Sequence, residues 1–325
     1  MKKIIGIGNA LTDILTRLDS DKMLDQIHLP KGSTQIISED YLEKITKFLS
    51  DRETRFSTGG AAGNTIKALA NLNHNTGFVG KVGDDLYGRH YRTTFSRLNI
   101  DTKLSVSECP SGVATTFITP DGECTFCTYL GAAALTEDDI TPNLFNGYAY
   151  LYVEGYLVQN HEMIRKTIHT ARENGLKIVL NMASYNIVSK EKDLFKELIL
   201  HDVDILFANK EEAKSFTGKE GKKALHEMSA ICHTVVLKQG AEGALIQDGE
   251  EEIKVEAYPV NIVDTTGAGD YFAAGFLYGY IQDKPLEICG KLGALLASEV
   301  IQTMGTTLRS ARWETIKKEI KKIIK

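Results

Sequence analysis

The segment from Val263 to Asp270 has the clearest chemical potential, because small residues lead directly into a helix predicted at Tyr271–Ile281. Small residues before a helix let the chain turn tightly and leave backbone N–H groups pointing outward, where the helix dipole adds positive potential. A helix start of this kind binds anions. The same dipole favours an ionised Asp270 beside any bound phosphate, where a base for a hydroxyl group must lie. The residues alone equally allow a glycine-rich loop in which Asp270 only favours a helix start.

Short apolar runs alternate with stretches of helical pattern along most of the chain. Apolar runs of this length are typical of parallel strands buried on both faces. Strands are predicted at 4–7, 76–79, 148–153, 177–180, 205–207 and 234–237, and helices at 64–71, 161–174, 210–217 and 271–281. This alternation predicts one α/β domain over residues 1–325, a three-layer sandwich with helices on both faces of a mostly parallel sheet.

Two stretches, 11–39 and 110–130, depart from this alternation. Their polar and apolar residues alternate in the manner of half-exposed strands. We predict that the two stretches form one small, discontinuous β lid. The sequence contains neither internal repeats nor a low-complexity linker, so it gives no indication of an independent second domain.

Charge and composition argue against several classes of partner. The net charge is −5, and the lysines near the C-terminus are spaced like one solvated helix face, so nucleic acid is not an expected partner. No apolar run approaches the ~20 residues of a membrane span, so we expect a cytoplasmic protein without a membrane partner. The sequence leaves monomer and homodimer open. Cys124 and Cys127 have C-x-x-C spacing, but an offset of three on a strand points their thiols to opposite faces, against a metal or redox pair.

Five segments resemble, in the same order, the signature motifs of the ribokinase (PfkB) family of kinases. They are the N-terminal glycine motif, a following glycine-aspartate segment, the N-x-x-E motif, the nucleotide-binding turn and the C-terminal signature. In this chain these are Gly59–Asn64, Gly80–Gly88, Asn209–Glu212, Lys238–Gly243 and Asp264–Asp270. The resemblance extends over nearly the whole chain, and it implies a ribokinase-like fold.

This resemblance implies an ATP-dependent kinase in which Asp270 is the catalytic base. The backbone amides that stabilise the transferring phosphoryl group would be those of Gly267, Ala268 and Gly269. A second pair of residues, Asp264 and Thr266, corresponds to positions that hold a monovalent cation such as K⁺ in some members.

The nucleotide side is implied by the same resemblance. Asn209 and Glu212 would organise Mg²⁺ through water near the phosphates of ATP, a role suited to oxygen donors. Without the family they would be interpreted as a strand-end cap and a first-turn glutamate. Lys238, Gly240 and Gly243 would form the turn that approaches the nucleotide, and the alternative is an ordinary hairpin.

On the acceptor side, the resemblance implies that the carboxylate of Asp13 accepts two vicinal hydroxyls of a sugar, and the alternative is that Asp13 is an exposed carboxylate of the lid. The other residues expected to bind the acceptor are Asn9, Gln35, Gly59, Gly60, Asn64, Ala133, Tyr156 and Leu157. Tyr156 and Leu157 stand where the family has its base-stacking pair, and Gln35 is expected to hydrogen-bond a ring edge. The alternative is that these residues fill the seam between lid and core.

Four runs look more like adenosine kinases than ribokinases: Leu24–Pro30, Tyr129–Ala134, Glu154–Leu157 and Asp202–Asn209. This resemblance favours transfer to the 5′-hydroxyl of adenosine. A kinase for a free furanose, a hexose or a sugar phosphate is the alternative. One departure concerns Cys124, which stands where many members carry an arginine that reaches the phosphates when the lid closes. Either another cation, such as Arg89 or Lys81, substitutes for that arginine, or the phosphoryl group is held more weakly in this chain.

Three other classes of protein fit the sequence less well. Gly6-Ile7-Gly8 follows a strand, as in dinucleotide enzymes, but Leu11 replaces the third glycine and no helix-opening pattern follows. A P-loop G-x-x-x-x-G-K-[ST] motif does not occur. A binding protein that had lost catalysis would lack the base, whereas Asp270 is present.

Overall fold

The computed structural model describes residues 2–121 and 123–325. Its strands, in chain order, are β1 (Ile4–Ile7), β2 (Leu11–Arg17), β3 (Thr34–Ile36), β4 (Thr54–Thr58), β5 (Thr76–Gly83), β6 (Asp101–Ser107), β7 (Gly112–Ile118), β8 (Cys124–Tyr129), β9 (Tyr150–Glu154), β10 (Lys177–Asn181), β11 (Ile205–Asn209), β12 (Thr234–Lys238), β13 (Ala244–Asp248) and β14 (Glu251–Val255). Its helices are α1 (Lys22–Gln26), α2 (Glu39–Leu49), α3 (Ala61–Asn71), α4 (Leu86–Arg97), α5 (His161–Glu173), α6 (Tyr185–Lys190), α7 (Lys192–His201), α8 (Lys210–Thr217), α9 (Gly221–Ser229), α10 (Ala268–Tyr280), α11 (Leu286–Val300) and α12 (Ser310–Ile324).

A large sheet of nine strands, counted over the described residues, has the order β14-β13-β12-β11-β10-β9-β1-β5-β6. Strands β1, β5, β6 and β9 to β12 run parallel, whereas β13 and β14 are antiparallel. The central strands are apolar at almost every position because helices cover both faces. Helices α3, α4 and α10 to α12 pack on one face, and α5 and α7 to α9 pack on the other. The predicted three-layer α/β sandwich is confirmed.

A second sheet has the order β3-β8-β7-β2-β4 and lies beside the carboxyl ends of the large sheet's strands. We call this sheet with α1 and α2 the lid. One face carries Ile14, Val113 and Phe117 and packs on α1 and α2. Four of its strands fall in the predicted ranges 11–39 and 110–130, but β4 and most of α2 extend it beyond them. Strand β4 was missed because its residues are mostly exposed and polar, without the expected alternation.

Two helices start earlier than the sequence predicted, and both starts matter for the site. Helix α3 begins at Ala61 rather than Asn64, and α10 begins at Ala268 rather than Tyr271. The residues before them, Gly60 (φ 82°) and Gly267 (φ 75°), have positive φ angles, which glycine adopts without a steric penalty. The glycine motifs therefore turn the chain directly into the helices.

Within the described residues, no helix is both long and apolar enough to cross a membrane. Cys124 is half-buried and Cys127 is fully buried on the opposite face of β8, as their spacing predicted.

Candidate active site

The carboxyl ends of β9 to β12 carry a row of polar residues: Glu154, Asn181, Asn209 and Lys238. Strand register places Asn181 beside Glu154, and Lys238 beside Asn209. Ligands of open α/β sheets bind outside this edge. Together with Asp270 on α10, these four residues line a cavity of about 140 Å³. The fold thus brings together residues that are widely separated in sequence.

Asp270 lies in the first turn of α10 and faces α3. Its Oδ2 accepts a hydrogen bond from Nδ2 of Asn64 at 3.0 Å, and Oδ1 of Asn64 accepts one from Oγ1 of Thr306 at 3.0 Å. These bonds fix the carboxylate toward the cavity. Burial raises the pKa of Asp270 to about 7, although Asn64 and the charge of Lys238 oppose this shift. The sequence predicted a carboxylate kept ionised by the helix dipole, whereas desolvation dominates, giving a group suited to accept a proton near neutral pH.

The start of α10 offers fewer free amides than the sequence predicted. The N–H of Ala268 donates to the carbonyl of Thr265 at 3.1 Å, so this amide is already engaged. The amides of Gly267 and Gly269 have no backbone acceptor in the part of the chain that the structure describes. A helix start leaves such donors for a ligand because no earlier turn of the helix supplies acceptors for its first amides.

Lys238 supplies positive charge to the cavity. Its Nζ donates to Oδ1 of Asn181 at 3.1 Å, and a Cβ atom added at Gly269 would lie 3.0 Å from Nζ. Its charge lowers the pKa values of both Asp270 and Glu212 against the effect of burial. Among the described residues, Lys238 is the one lysine or arginine lining the cavity.

Asn209 and Glu212 form a capping box at the start of α8. Oδ1 of Asn209 accepts from the Glu212 amide, and the Glu212 carboxylate accepts from both the amide and Nδ2 of Asn209, each at 2.8 Å. The pair therefore caps the helix, which is the structural role that the residues alone suggested. Both residues also line the cavity, and their oxygen atoms suit a Mg²⁺ that keeps its waters. The described residues contain no cluster of three or more His, Cys, Asp or Glu side chains that would bind a metal directly.

The loop before α10 is held by Asp264. Its Oδ1 accepts from the amide and the hydroxyl of Thr266 at 2.9 and 2.7 Å, and its Oδ2 accepts from the Gly305 amide at 2.8 Å. The two predicted cation ligands thus bond to each other. A monovalent cation at this loop stays a prediction from the resemblance alone.

Gly240 and Gly243 lie in the turn between β12 and β13, which is a hairpin with a short 3₁₀ segment. Both have positive φ angles, 62° and 84°. A side chain at Gly243 would collide with the backbone of Val255. The geometry of the turn therefore explains why both positions are glycine. Contact of the two residues with a nucleotide stays a prediction.

Asp13 lies on the lid face that is turned toward the cavity. Its carboxylate packs directly against Gly59, where a Cβ atom would collide with it. Burial raises the pKa of Asp13 to about 6, while the charge of Lys67 lowers it. A Cβ atom at Gly60 would collide with the carbonyl of Asn9. The predicted acceptor residues Asp13, Gly59 and Gly60 thus meet where lid and core join, at the start of the helix that carries Asn64.

Glu154 was missed as a site residue by the sequence reasoning. It is 2 % exposed, and its carboxylate accepts from Nδ2 of Asn9 at 3.0 Å and from the Ala62 amide at 3.0 Å. Burial raises its pKa to about 7. Asn9, expected to bind the acceptor, therefore donates its side-chain amide to Glu154. The sequence does contain a signal for Glu154, because it is the polar residue that ends an apolar strand. Asn181 ends the next strand in the same way.

Three predicted acceptor residues need correction. Leu157 is 4 % exposed and packs in the hydrophobic core, while its neighbour Tyr156 lines the cavity, because successive residues of this 3₁₀ segment point in different directions. Ala133 is fully buried beneath Gly112. Gln35 pairs in register with Cys127 on the face that packs on the helices, opposite to the face of Asp13, because side chains alternate along a strand.

Four side chains that the sequence reasoning did not choose, together with Asp13, form the lid face turned toward the cavity. Strand register places Asp13 opposite Ala114, Ala114 opposite Thr128, and Thr128 opposite Ile36. Phe126 lies on the same side of β8 as Thr128. Ile36 is 68 % exposed, so this face presents apolar surface to solvent.

Cys124 lies on this cavity-facing side of β8, and neither candidate substitute for the missing arginine reaches the cavity. Lys81 pairs with Asp139 at 3.0 Å, and Arg89 pairs with Asp84 at 3.8 Å. Substitution of the arginine by one of these two cations stays a prediction, and their ion pairs with Asp139 and Asp84 do not support it. Lys238 is the cation that the fold places there instead.

Three carboxylates with raised pKa values, the buried Glu154 and the half-buried Asp13 and Asp270, predict that the free energy of unfolding increases as the pH falls from 8 to about 6. Asp13, Glu154 and Asp270 bind protons more tightly in the folded than in the unfolded protein, so protonation favours the folded state in this window. Two buried bases with lowered pKa values act oppositely, Lys67 near the pH 8 end of this window and His74 near its pH 6 end, and their effect is smaller than the sum over three carboxylates. Thermal unfolding from pH 8 to 6 checks this. Asp270→Asn should flatten the rise in Tm, and a wild-type Tm that falls over this range would contradict the prediction.

Comparison with known proteins identifies the family. The profile for pfkB family carbohydrate kinases matches residues 39–313. The structure of a probable sugar kinase from Rhizobium etli has 31 % identity and a TM-score of 0.87 over 98 % of both chains. That of adenosine kinase from Sinorhizobium meliloti has 30 % identity and a TM-score of 0.87, covering 98 % of this chain and 99 % of that one. A 5-dehydro-2-deoxygluconokinase from Geobacillus kaustophilus is 28 % identical over 88 % of this chain and 86 % of its own length. The chain therefore belongs to the PfkB family of carbohydrate kinases and is a phosphotransferase that acts on an alcohol group.

Proposed function

We propose that the protein transfers the γ-phosphoryl group of ATP to the 5′-hydroxyl of adenosine. Asp270 removes the proton of the attacking hydroxyl, since its pKa of about 7 allows it to accept a proton at neutral pH. The amides of Gly267 and Gly269 and the ammonium of Lys238 stabilise the charge of the transferring group. Asn209 and Glu212 would hold Mg²⁺ through water, and this ion would neutralise phosphate charge.

The acceptor would bind between Asp13 and the cavity edge. Two vicinal hydroxyls of a ribose ring fit the two oxygens of the Asp13 carboxylate, and Asn64 fixes Asp270 on the opposite side. Closing the lid over the acceptor would bring these groups together and exclude water from the reaction.

The observation that carries the choice of adenosine is the apolar side of the lid that faces the cavity. Ile36 on β3 and Phe126 on β8 lie on the same lid face as Asp13, separated from it by the intervening strands, and Tyr156 lines the cavity opposite this face. A free sugar needs mostly hydroxyl partners, whereas a purine needs an apolar slot between side chains. Similarity to an adenosine kinase over 98 % of the chain supports this choice. A sugar acceptor is the second candidate, because the probable sugar kinase is equally similar in structure.

We expect calorimetry to show that adenosine binds more tightly than ribose, and that Ile36→Asp weakens adenosine binding by about 10- to 100-fold while ribose binding is unchanged. An isoleucine side chain covered by a base contributes roughly 1.5–3 kcal/mol, and an aspartate cannot replace that contact. Leu200→Asp is the matched control, since Leu200 is 50 % exposed on α7 and lines no part of the cavity. Phosphorylation of adenosine, ribose, fructose and fructose 6-phosphate is then compared at equal ATP. Tighter binding and faster turnover of a free sugar would replace adenosine as the acceptor.

A further inference from the structure

Lys67 is a buried charged residue to which the proposed reaction assigns no role. It lies on α3, one turn after Asn64, and is 6 % exposed. Its Nζ donates to the carbonyl of Thr58 and, at 2.9 Å, to the Thr58 hydroxyl. Thr58 ends β4 of the lid, and Gly59 and Gly60 connect it to α3 in the core. The lysine therefore ties the last residue of a lid strand to a core helix across this glycine connection.

The carboxylate of Asp13 lies against the same short connection. It leaves no room for a side chain at Gly59, whose amide donates to the Leu11 carbonyl at 2.7 Å. Strand register places Asp13 opposite Ser57, the residue before Thr58. The ammonium of Lys67 and the carboxylate of Asp13 thus approach the connection together, and each stabilises the charge of the other.

We propose that Lys67 is a positioning residue for the acceptor: it anchors the end of β4 at the lid connection and supplies the positive charge that keeps Asp13 ionised. The proposal rests on the proposed function in that Asp13 is taken to bind the hydroxyls of the acceptor. A carboxylate accepts two hydroxyl hydrogen bonds only when it is ionised, because the protonated form loses acceptor capacity. Asp13 would otherwise have to keep its charge in a poorly solvated position.

The other charged and titratable groups around this pair add to the need for a cation. The negative charge of Asp264, in the loop before α10, raises the pKa of Asp13, and the charge of Asp13 in turn raises the pKa of Asp270 on α10. On α4, Tyr91 lies near Asp13 and His90 lies near Lys67. Lys67 is the one basic group that lowers the pKa of Asp13 among the described residues.

The pH dependence follows from these charges. Asp13, with a pKa of about 6, loses its charge as the pH falls through that value, so acceptor affinity should decline below about pH 6. Burial lowers the pKa of Lys67 to about 8, so its positive charge is lost as the pH rises through that value. An arginine stays charged at all these pH values and would remove the upper transition.

Carbon-13 NMR of protein labelled at aspartate carboxyl carbons tests the proposal without any acceptor, and Asp13→Asn assigns the resonance. We expect wild type to show the main Asp13 transition near pH 6 and a smaller one near pH 8. In Lys67→Met the main transition should move up by about 1–3 pH units, the usual effect of losing a nearby opposite charge. In Lys67→Arg the main transition should stay and the smaller one should vanish. Thr58→Val is the matched control, because it removes a hydrogen bond and keeps the charge.

The outcomes separate this proposal from the proposed function. An Asp13 transition that does not move in Lys67→Met would overturn the proposal. If Lys67→Met does not fold, the smaller transition near pH 8 decides the test. Its absence from wild type, or its persistence in Lys67→Arg, would overturn the proposal. With adenosine as acceptor, the KM of Lys67→Met at pH 7 should rise while kcat changes less. Failure of adenosine to bind leaves the NMR result intact and counts against the proposed acceptor alone.

Discussion

Asp270→Asn is expected to lower kcat by about 10²–10⁴-fold, the usual contribution of a positioned general base. The amide keeps the size of the side chain but cannot take the proton of the acceptor hydroxyl. Affinity for ATP should change little, because the phosphate-facing amides and Lys238 remain. Steady-state kinetics with the best acceptor, together with equilibrium binding of ATP, measure both quantities.

The pH profile gives a second readout for Asp270. In the wild type, kcat/KM should fall as the pH drops below about 7, because the base becomes protonated. Asp270→Asn should lose this transition in its residual activity. Glu287→Gln, a change at an exposed carboxylate on α11, is the control and should behave as wild type. Turnover at the wild-type rate in Asp270→Asn would show that another group is the base.

Lys238→Met is expected to lower kcat by about 10²–10³-fold, the range found when one donor to a developing negative charge is removed. The described cavity lining contains Glu154, Glu212 and Asp270 but no second lysine or arginine, so the charge has no local replacement. Because Lys238 also lowers the pKa of Asp270, the acid side of the kcat profile should move to higher pH. Separate measurement of kcat and KM distinguishes lost transition-state stabilisation from lost binding.

Two variants sharpen the interpretation of Lys238. Lys222→Met removes an exposed lysine that pairs with Glu252, away from the cavity, and should leave kcat unchanged. Cys124→Arg places a guanidinium on the lid face that is turned toward the cavity, and it should restore part of the activity of Lys238→Met. Full activity of Lys238→Met would mean that the phosphoryl group does not use this charge.

The position of Asp270 shows why part of the site can be predicted from the sequence. A run of small residues, an acidic residue and an apolar helical pattern are local features, and they specify a tight turn and a helix start without help from distant residues. The parallel sheet could be predicted for a related reason, since its strands are buried on both faces and are therefore apolar throughout. The residues at the start of α10 and the α/β class thus followed from short segments alone.

Tertiary structure decided which side chains meet and how they ionise. Asn9 and Glu154 are 145 residues apart and bond through strands that become neighbours only in the folded sheet. The side of the lid that Gln35 takes depends on its register with β8, and a shift of one residue would reverse it. Burial, which no local pattern specifies, raises the pKa of Asp270. The fold also places Lys67 near Asp13, where its positive charge lowers the pKa of that carboxyl group. The sequence alone therefore determined the chain's fold class and the helix start that carries Asp270, whereas desolvation and long-range packing determined which side chains that residue contacts and how it ionises.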